Sequence, residues 1–87
     1  MITKEKIKIY KRYNGDGDMW LRSAKKSEKI INDLEWHLIE NLINDVGLIE
    51  KGLTSQSYSE EIKKRLEENC DEEARSLIIK LAKNASD

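Results

Sequence analysis

The feature that most constrains the fold is one long amphipathic stretch, residues 27–51, with the sequence SEKIINDLEWHLIENLINDVGLIEK. Trp36, Ile39 and Ile43 widen its apolar stripe to more than half of the helix circumference, whereas one neighbour needs a stripe of only about 100°. The pattern therefore predicts a central helix, capped by Ser27 and followed by Gly52, that several elements bury. The other stripe residues recur at the three- and four-residue steps of an α-helix: Ile30, Ile31, Leu34, Leu38, Leu42, Val46 and Ile49.

Shorter amphipathic segments on both sides of this stretch predict a compact all-α bundle of about four helices in a single domain, residues 1–87. The chain has no Pro and only four Gly, so nothing breaks the periodic segments. A third helix is expected from about Tyr58 to Asn69, with a capping box at Ser57 and Glu60. A fourth helix is expected after Asp71.

The first segment, residues 3–13, can be interpreted in two ways. Its lysines and its apolar residues fall on opposite sides of a helix, which favours a helix with Thr3 as its N-cap. Residues 6–13 also alternate briefly like a strand, and such a strand would pair with residues 19–22 as a hairpin. The strand is retained as the alternative.

Residues 14–18, Asn-Gly-Asp-Gly-Asp, predict an irregular turn, because Gly adopts positive φ and Asn and Asp side chains bond to their own backbone. The run also resembles part of a calcium-binding loop. In the register that starts at residue 14, however, Met19 replaces the required Gly and Lys25 replaces the required Glu. A looser cation site at Asp16 and Asp18 is the hypothesis that the turn leaves open.

Two further groups of residues are candidate sites. Asp33, His37 and Glu40 lie on the polar strip of the central helix, where they could bind a metal if a second helix supplied ligands, although a solvated face is favoured. Trp20, Trp36 and Arg22 are residue types that anchor protein partners, although a core-sealing role is favoured for Trp20. Glu35 lies inside the apolar arc, so it is expected either to reach water at the end of the bundle or to form a structural ion pair with Arg22 or Arg65.

Composition predicts where in the cell the protein is found and how its charges are distributed. The single Cys70 excludes an intramolecular disulfide, and the absence of a long apolar run or a signal-peptide pattern predicts a soluble, cytoplasmic protein that does not enter a membrane. Residues 1–29 contain nine Lys or Arg against four Asp or Glu, and the rest of the chain contains seven against thirteen. The halves are therefore expected to dock on each other and partly neutralise their charges.

No stretch of the sequence matches a catalytic or phosphate-binding motif, so the chain is predicted to be non-enzymatic and to need no cofactor. The leading hypothesis is a small protein–protein interaction or regulatory domain that binds a partner or forms a homodimer. The alternatives are a cation- or ligand-binding protein that uses the Asp16/Asp18 turn or the Asp33/His37/Glu40 strip, and a weak nucleic-acid binder that uses the basic N-terminal face. Nucleic acid is not the expected partner, because the net charge is −1.

Overall fold

A computed structural model describes residues 1–13 and 31–85, and in these ranges the backbone is helical with short connections. The four helices are α1 (Lys4–Arg12), α2 (Asp33–Glu50), α3 (Gln56–Asn69) and α4 (Glu72–Ala85). The prediction of an all-α bundle is confirmed. The strand alternative for residues 6–13 is wrong, because the segregation of lysines from Ile7 and Ile9 stabilises a helix whose apolar face is buried. The predicted turn at 14–18 lies outside the described residues.

The central helix begins later than its sequence pattern predicts. Ile31 and Asn32 are not helical, so the prediction of one helix over 27–51 with Ser27 as its cap is wrong. Asn32 is the N-cap: its side chain accepts a 2.7 Å hydrogen bond from the Glu35 N–H, and the Glu35 carboxylate accepts one from the Asn32 N–H. This reciprocal capping box satisfies two backbone donors at the point where the helix begins.

The other end of α2 follows the prediction. The helix continues through Gly47, and Gly52 adopts a φ of 70° just after the C-cap Lys51. The N–H of Gly52 donates to the Ile49 carbonyl, and the N–H of Leu53 donates to the Leu48 carbonyl, both at 2.9 Å. This is a Schellman motif, which ends a helix by placing a glycine in the left-handed region.

Of the N-caps predicted for α3 and α4, one is wrong and one is confirmed. The predicted capping box at Ser57 and Glu60 is wrong, because Ser55 caps α3 by accepting from the Tyr58 N–H at 3.1 Å. Asp71 caps α4 as expected, and its carboxylate accepts from the Ala74 N–H at 2.8 Å. Each cap satisfies a donor that the first helical turn leaves unpaired.

The amino-terminal residues are fastened to the α3–α4 connection by an isolated parallel bridge between Ile2 and Cys70. The Ile2 N–H donates to the Asn69 carbonyl at 2.7 Å, and the Asp71 N–H donates to the Ile2 carbonyl at 3.2 Å. Ile2 is consequently buried in the main core, and α1 is fixed beside α4 from its first turn.

The main core confirms that α2 has neighbours on several sides, since it contacts α1, α3 and α4. Leu34 departs from its predicted place in the stripe: it lies in the first turn of α2 and its surface is 83% exposed. None of the described helices is long and apolar enough to cross a membrane. The buried residues of the main core come from all four helices and the bridge: Ile2, Ile7, Ile39, Leu42, Val46, Ile62, Leu66, Cys70, Ala74, Ile78 and Ala82.

Candidate functional site

The candidate site is a groove between α1 and α4, which pack side by side. The two helices run in the same direction, since Lys4 near the start of α1 lies 3.6 Å from Glu73 near the start of α4. Farther along the pair, the facing side chains leave a cavity of about 140 Å³. We call this cavity the α1–α4 groove, and its lining residues are Ile7, Lys8, Lys11, Leu77, Lys80, Leu81 and Asn84.

The groove has an apolar floor and a basic rim. Ile7 is fully buried, whereas Leu77 and Leu81 are only partly covered and still present apolar surface to the groove. Lys8 and Lys80 are exposed on opposite walls, as is Lys11 at the end of α1. Within the described part of the chain, none of these three lysines forms an ion pair. The groove therefore combines uncovered apolar surface with unneutralised positive charge.

A second, more open depression extends the groove toward the amino-terminal ends of α1 and α4. It is lined by Lys4, Glu72, Glu73, Ser76 and Leu77, so Leu77 belongs to both depressions. Two carboxylates accompany one lysine here, and the local charge is opposite to that of the lysine rim. The joined surface thus carries opposite net charges at its two ends, with lysines at one end and two glutamates beside one lysine at the other.

The predicted metal residues of the central helix are arranged as a solvated face. The His37 side chain is 74% exposed, and its Nδ1 lies 3.4 Å from an oxygen of Glu40. Asp33 is also exposed. Across residues 1–13 and 31–85, no group of three or more His, Cys, Asp or Glu side chains is placed to hold a metal ion. Asp16 and Asp18 lie outside these ranges, so the cation site at the turn stays a prediction.

Of the three residues predicted to anchor a partner, only Trp36 is described, and its surface is 3% exposed. It packs with Ile9 and Ile31 in a second, smaller core cluster. The rings of Trp36 and Tyr10 are tilted at 50° with centroids 4.7 Å apart, a favourable aromatic arrangement. Burial, and secondarily the Glu40 carboxylate, raise the pKa of Tyr10 to about 12. Trp36 thus joins α1 to α2 inside this chain, while Trp20 and Arg22 lie outside the described residues.

The prediction that Glu35 pairs with Arg22 or Arg65 is wrong, because Lys6 donates a hydrogen bond to its carboxylate. Lys6 also donates to the Met1 carbonyl at 3.0 Å, so the pair ties the amino-terminal segment to α2. Arg65 instead binds Asp45 at 2.9 Å and joins α3 to α2. Periodicity placed both acids correctly on α2, but only the packing of the helices decides which cation each one meets.

The side chain of Cys70 belongs to the core packing. It is buried beside Ile2 in the main core. Burial, and then the Asp71 carboxylate, raise the pKa of the Cys70 thiol to about 11, against an ordinary value of 9.0. The thiol therefore remains protonated near neutral pH, which does not favour nucleophilic chemistry.

The groove was the part that sequence reasoning missed. The basic face of α1 was visible as Lys4, Lys8 and Lys11, but its neighbour was not. The helical period places Leu77 and Leu81 on the apolar stripe of α4 with Ala74 and Ile78, yet both leucines are only partly covered. The signal that could have revealed the groove is Lys80, which lies directly beside that stripe.

Comparison with known proteins assigns no relatives: no protein-family model, curated protein or solved structure gives a significant match to this chain.

Proposed function

We propose that this chain is a small, non-enzymatic interaction domain that receives a segment of a partner protein in the α1–α4 groove. One observation carries the proposal: partly covered leucines lie beneath lysines that have no ion-pair partner within the described residues. Uncovered apolar surface with a polar rim is typical of a protein-binding surface. Leu77 and Leu81 would supply the apolar contacts, and the lysines would set the orientation of the partner.

The open shape of the groove favours a protein segment over a small-molecule ligand. Pockets for small ligands usually enclose about 300–1,000 Å³ and bury most of the ligand. The basic part of the groove has about 140 Å³, and it continues into a depression of about 370 Å³ that is wide open to solvent and would leave much of a small ligand uncovered. A cavity of this size suits one or two apolar side chains that project from a longer segment lying along the surface.

Selection from a displayed peptide library, followed by mapping of the bound peptide by NMR amide shifts, would test the proposal. The expected result is enrichment of peptides with two spaced apolar residues, whose binding shifts the amides of Leu77, Leu81 and Asn84. Leu81→Gln should weaken these peptides, whereas Ile79→Gln on a different face of α4 should not. Enriched peptides whose shifts map away from the groove, or no enrichment at all, would overturn the proposal.

Self-association is a second candidate function, and a separate surface favours it. Leu48, Leu53 and Tyr58 are exposed large side chains at the α2–α3 corner, where the Schellman motif turns the chain. A stable dimer would need to bury about 1,000 Å² or more in total. Light scattering over a range of concentrations would detect it, and Leu53→Asp should shift a dimer toward monomer. A strictly monomeric protein at high concentration would exclude this candidate.

A further inference from the structure

We infer that the segment received by the α1–α4 groove is an acidic amphipathic helix of another protein. The inference rests on the proposed function and adds the chemistry of the partner. Three observations carry it: the charge of the rim, the length of the groove, and the opposite charge at its far end.

The lysines of the groove rim indicate that the partner segment is negatively charged. Lys8 and Lys11 stand on the α1 wall, and Lys80 faces them from α4. Because no described acidic side chain neutralises them, a carboxylate placed above Leu77 and Leu81 would meet several ammonium groups at once. Complementary charges of this kind fix the orientation of a partner and speed its association.

The length of the groove suits a helix of a few turns. Lys4 to Lys11 of α1 extends about 10 Å at the helical rise of about 1.5 Å per residue, which equals roughly two turns of a partner helix. A helix lying along this line presents side chains at i, i+4 and i+7 toward the floor. The partner should therefore carry apolar residues at that spacing, with Asp or Glu beside them.

The acidic end of the groove, near the starts of α1 and α4, determines the orientation of the partner helix. Glu72 and Glu73 stand beside Lys4, whose Nζ lies 3.6 Å from Glu73, so this end has one negative side chain in excess, which would repel a carboxylate and attract a basic side chain. A uniformly anionic polymer such as nucleic acid would meet repulsion there, and its phosphates would gain nothing from the leucine floor. A helix with acidic residues toward Lys80 and neutral or basic residues toward Glu73 satisfies both ends.

A second copy of this chain is a poor occupant on the same grounds. Its acidic helix α3 exposes Glu60, Glu61, Glu67 and Glu68. The large aliphatic residues of α3, Ile62 and Leu66, are buried in its own core. Among the large apolar residues of α3 only Tyr58, in its first turn, is exposed, so α3 of a second copy lacks the apolar stripe that the groove is inferred to bind.

Four synthetic helical peptides of about 18 residues test the inference by fluorescence anisotropy. All carry leucines at i, i+4 and i+7, flanked by Glu in the first peptide, by Gln in the second and by Lys in the third. The fourth is a scrambled Glu peptide that retains composition and loses the stripe. The expected order is Glu tightest, with at least about tenfold weaker binding of the Lys and scrambled peptides.

Matched charge-reversal variants locate the binding. Lys8→Glu/Lys80→Glu changes exposed residues on both walls of the groove and should weaken the Glu peptide about tenfold. Lys63→Glu/Lys64→Glu makes the same change in charge on exposed residues of α3 and should leave binding within about twofold. Circular dichroism of both variants checks that the helices are retained.

The possible failures are distinguishable. If the Gln or Lys peptide binds the groove as tightly as the Glu peptide, the acidic partner is wrong and the interaction domain stands. The scrambled peptide or a single-stranded DNA oligonucleotide could bind as tightly as the Glu peptide and be weakened as much by Lys8→Glu/Lys80→Glu. The groove would then attract anions in general, and the inference of an acidic helix would be wrong. If no peptide with the leucine stripe shifts the groove amides, the inference and the proposed function both fail.

Discussion

Removing the charge of Glu35 should destabilise the fold by about 1–3 kcal/mol at neutral pH, because its pair with Lys6 joins α1 to α2 away from bulk water. Each of the two side chains is 18% exposed. An exposed ion pair contributes about 0.2–1 kcal/mol, whereas breaking a fully buried pair costs about 3–5 kcal/mol, and this pair lies between those limits. Glu35→Gln is the appropriate change, since glutamine can still accept the Asn32 N–H of the capping box.

A double-mutant cycle with Glu35→Gln and Lys6→Met measures the pair itself, with urea unfolding followed by circular dichroism. The expected coupling free energy is about 1 kcal/mol or more. The matched control is the exposed Lys64–Glu68 pair of α3, at 4.0 Å, whose coupling should stay below about 0.5 kcal/mol. Equal coupling in the two cycles would refute the argument that partial burial strengthens the Glu35–Lys6 pair.

The same pair predicts a pH dependence. Burial opposes ionisation of Glu35, but the hydrogen bonds from Lys6 and from the Asn32 backbone prevail and lower its pKa from the ordinary value of 4.5. Because the folded pKa lies below the unfolded one, the stabilisation is complete above about pH 4.5 and is lost as the pH falls through the folded pKa. The stability difference between the wild type and Glu35→Gln should therefore shrink in acid. A difference that is unchanged from neutral pH down to about pH 3 would contradict the assignment.

Three further perturbations test the fold. Gly52→Ala should lower the free energy of unfolding by about 1 kcal/mol, because residue 52 has a φ of 70°. Gly47→Ala should raise it by about 0.5–1 kcal/mol, because the added methyl group meets open space within a helix. Shifts of the urea midpoint in the same direction for both variants would contradict this. Ile39→Ala should cost about 2–5 kcal/mol because the side chain is fully buried, and exposed Leu34→Ala should stay within about 0.5 kcal/mol in the same assay. The Cys70 thiol should react with iodoacetamide much faster in urea than in the native state, because folding buries it and raises its pKa to about 11. Equal rates of modification in the two states, measured by mass spectrometry, would contradict this.

The partly covered leucines of α4 show how the proposed interaction surface differs from ordinary core packing. Leu77 and Leu81 belong to the same stripe as the buried Ala74 and Ile78, yet they lie at its margin. Part of their surface remains open to the α1–α4 groove, which they line together with residues of α1.

Local signals explain which helix ends could be predicted. Gly52 was identifiable because a positive φ strongly favours glycine at a C-terminal cap. Asp71 was identifiable because it immediately precedes an acidic first turn. The starts of α2 and α3 were misplaced because more than one residue with good capping propensity precedes each helix, and the capping energies of Ser, Thr and Asn differ by less than about 1 kcal/mol. With local preferences so similar, tertiary packing selects among them.

The sequence by itself determined the helical class and the wide apolar arc of the central helix, because the periodicity of apolar residues is a local property. Only the tertiary structure decided that Lys6 meets Glu35, that Arg65 meets Asp45, and that lysines from α1 and α4 enclose one groove. These contacts join residues far apart in the chain. Their partners are selected by how the apolar faces fit together, and a helical repeat carries no information about the register between helices.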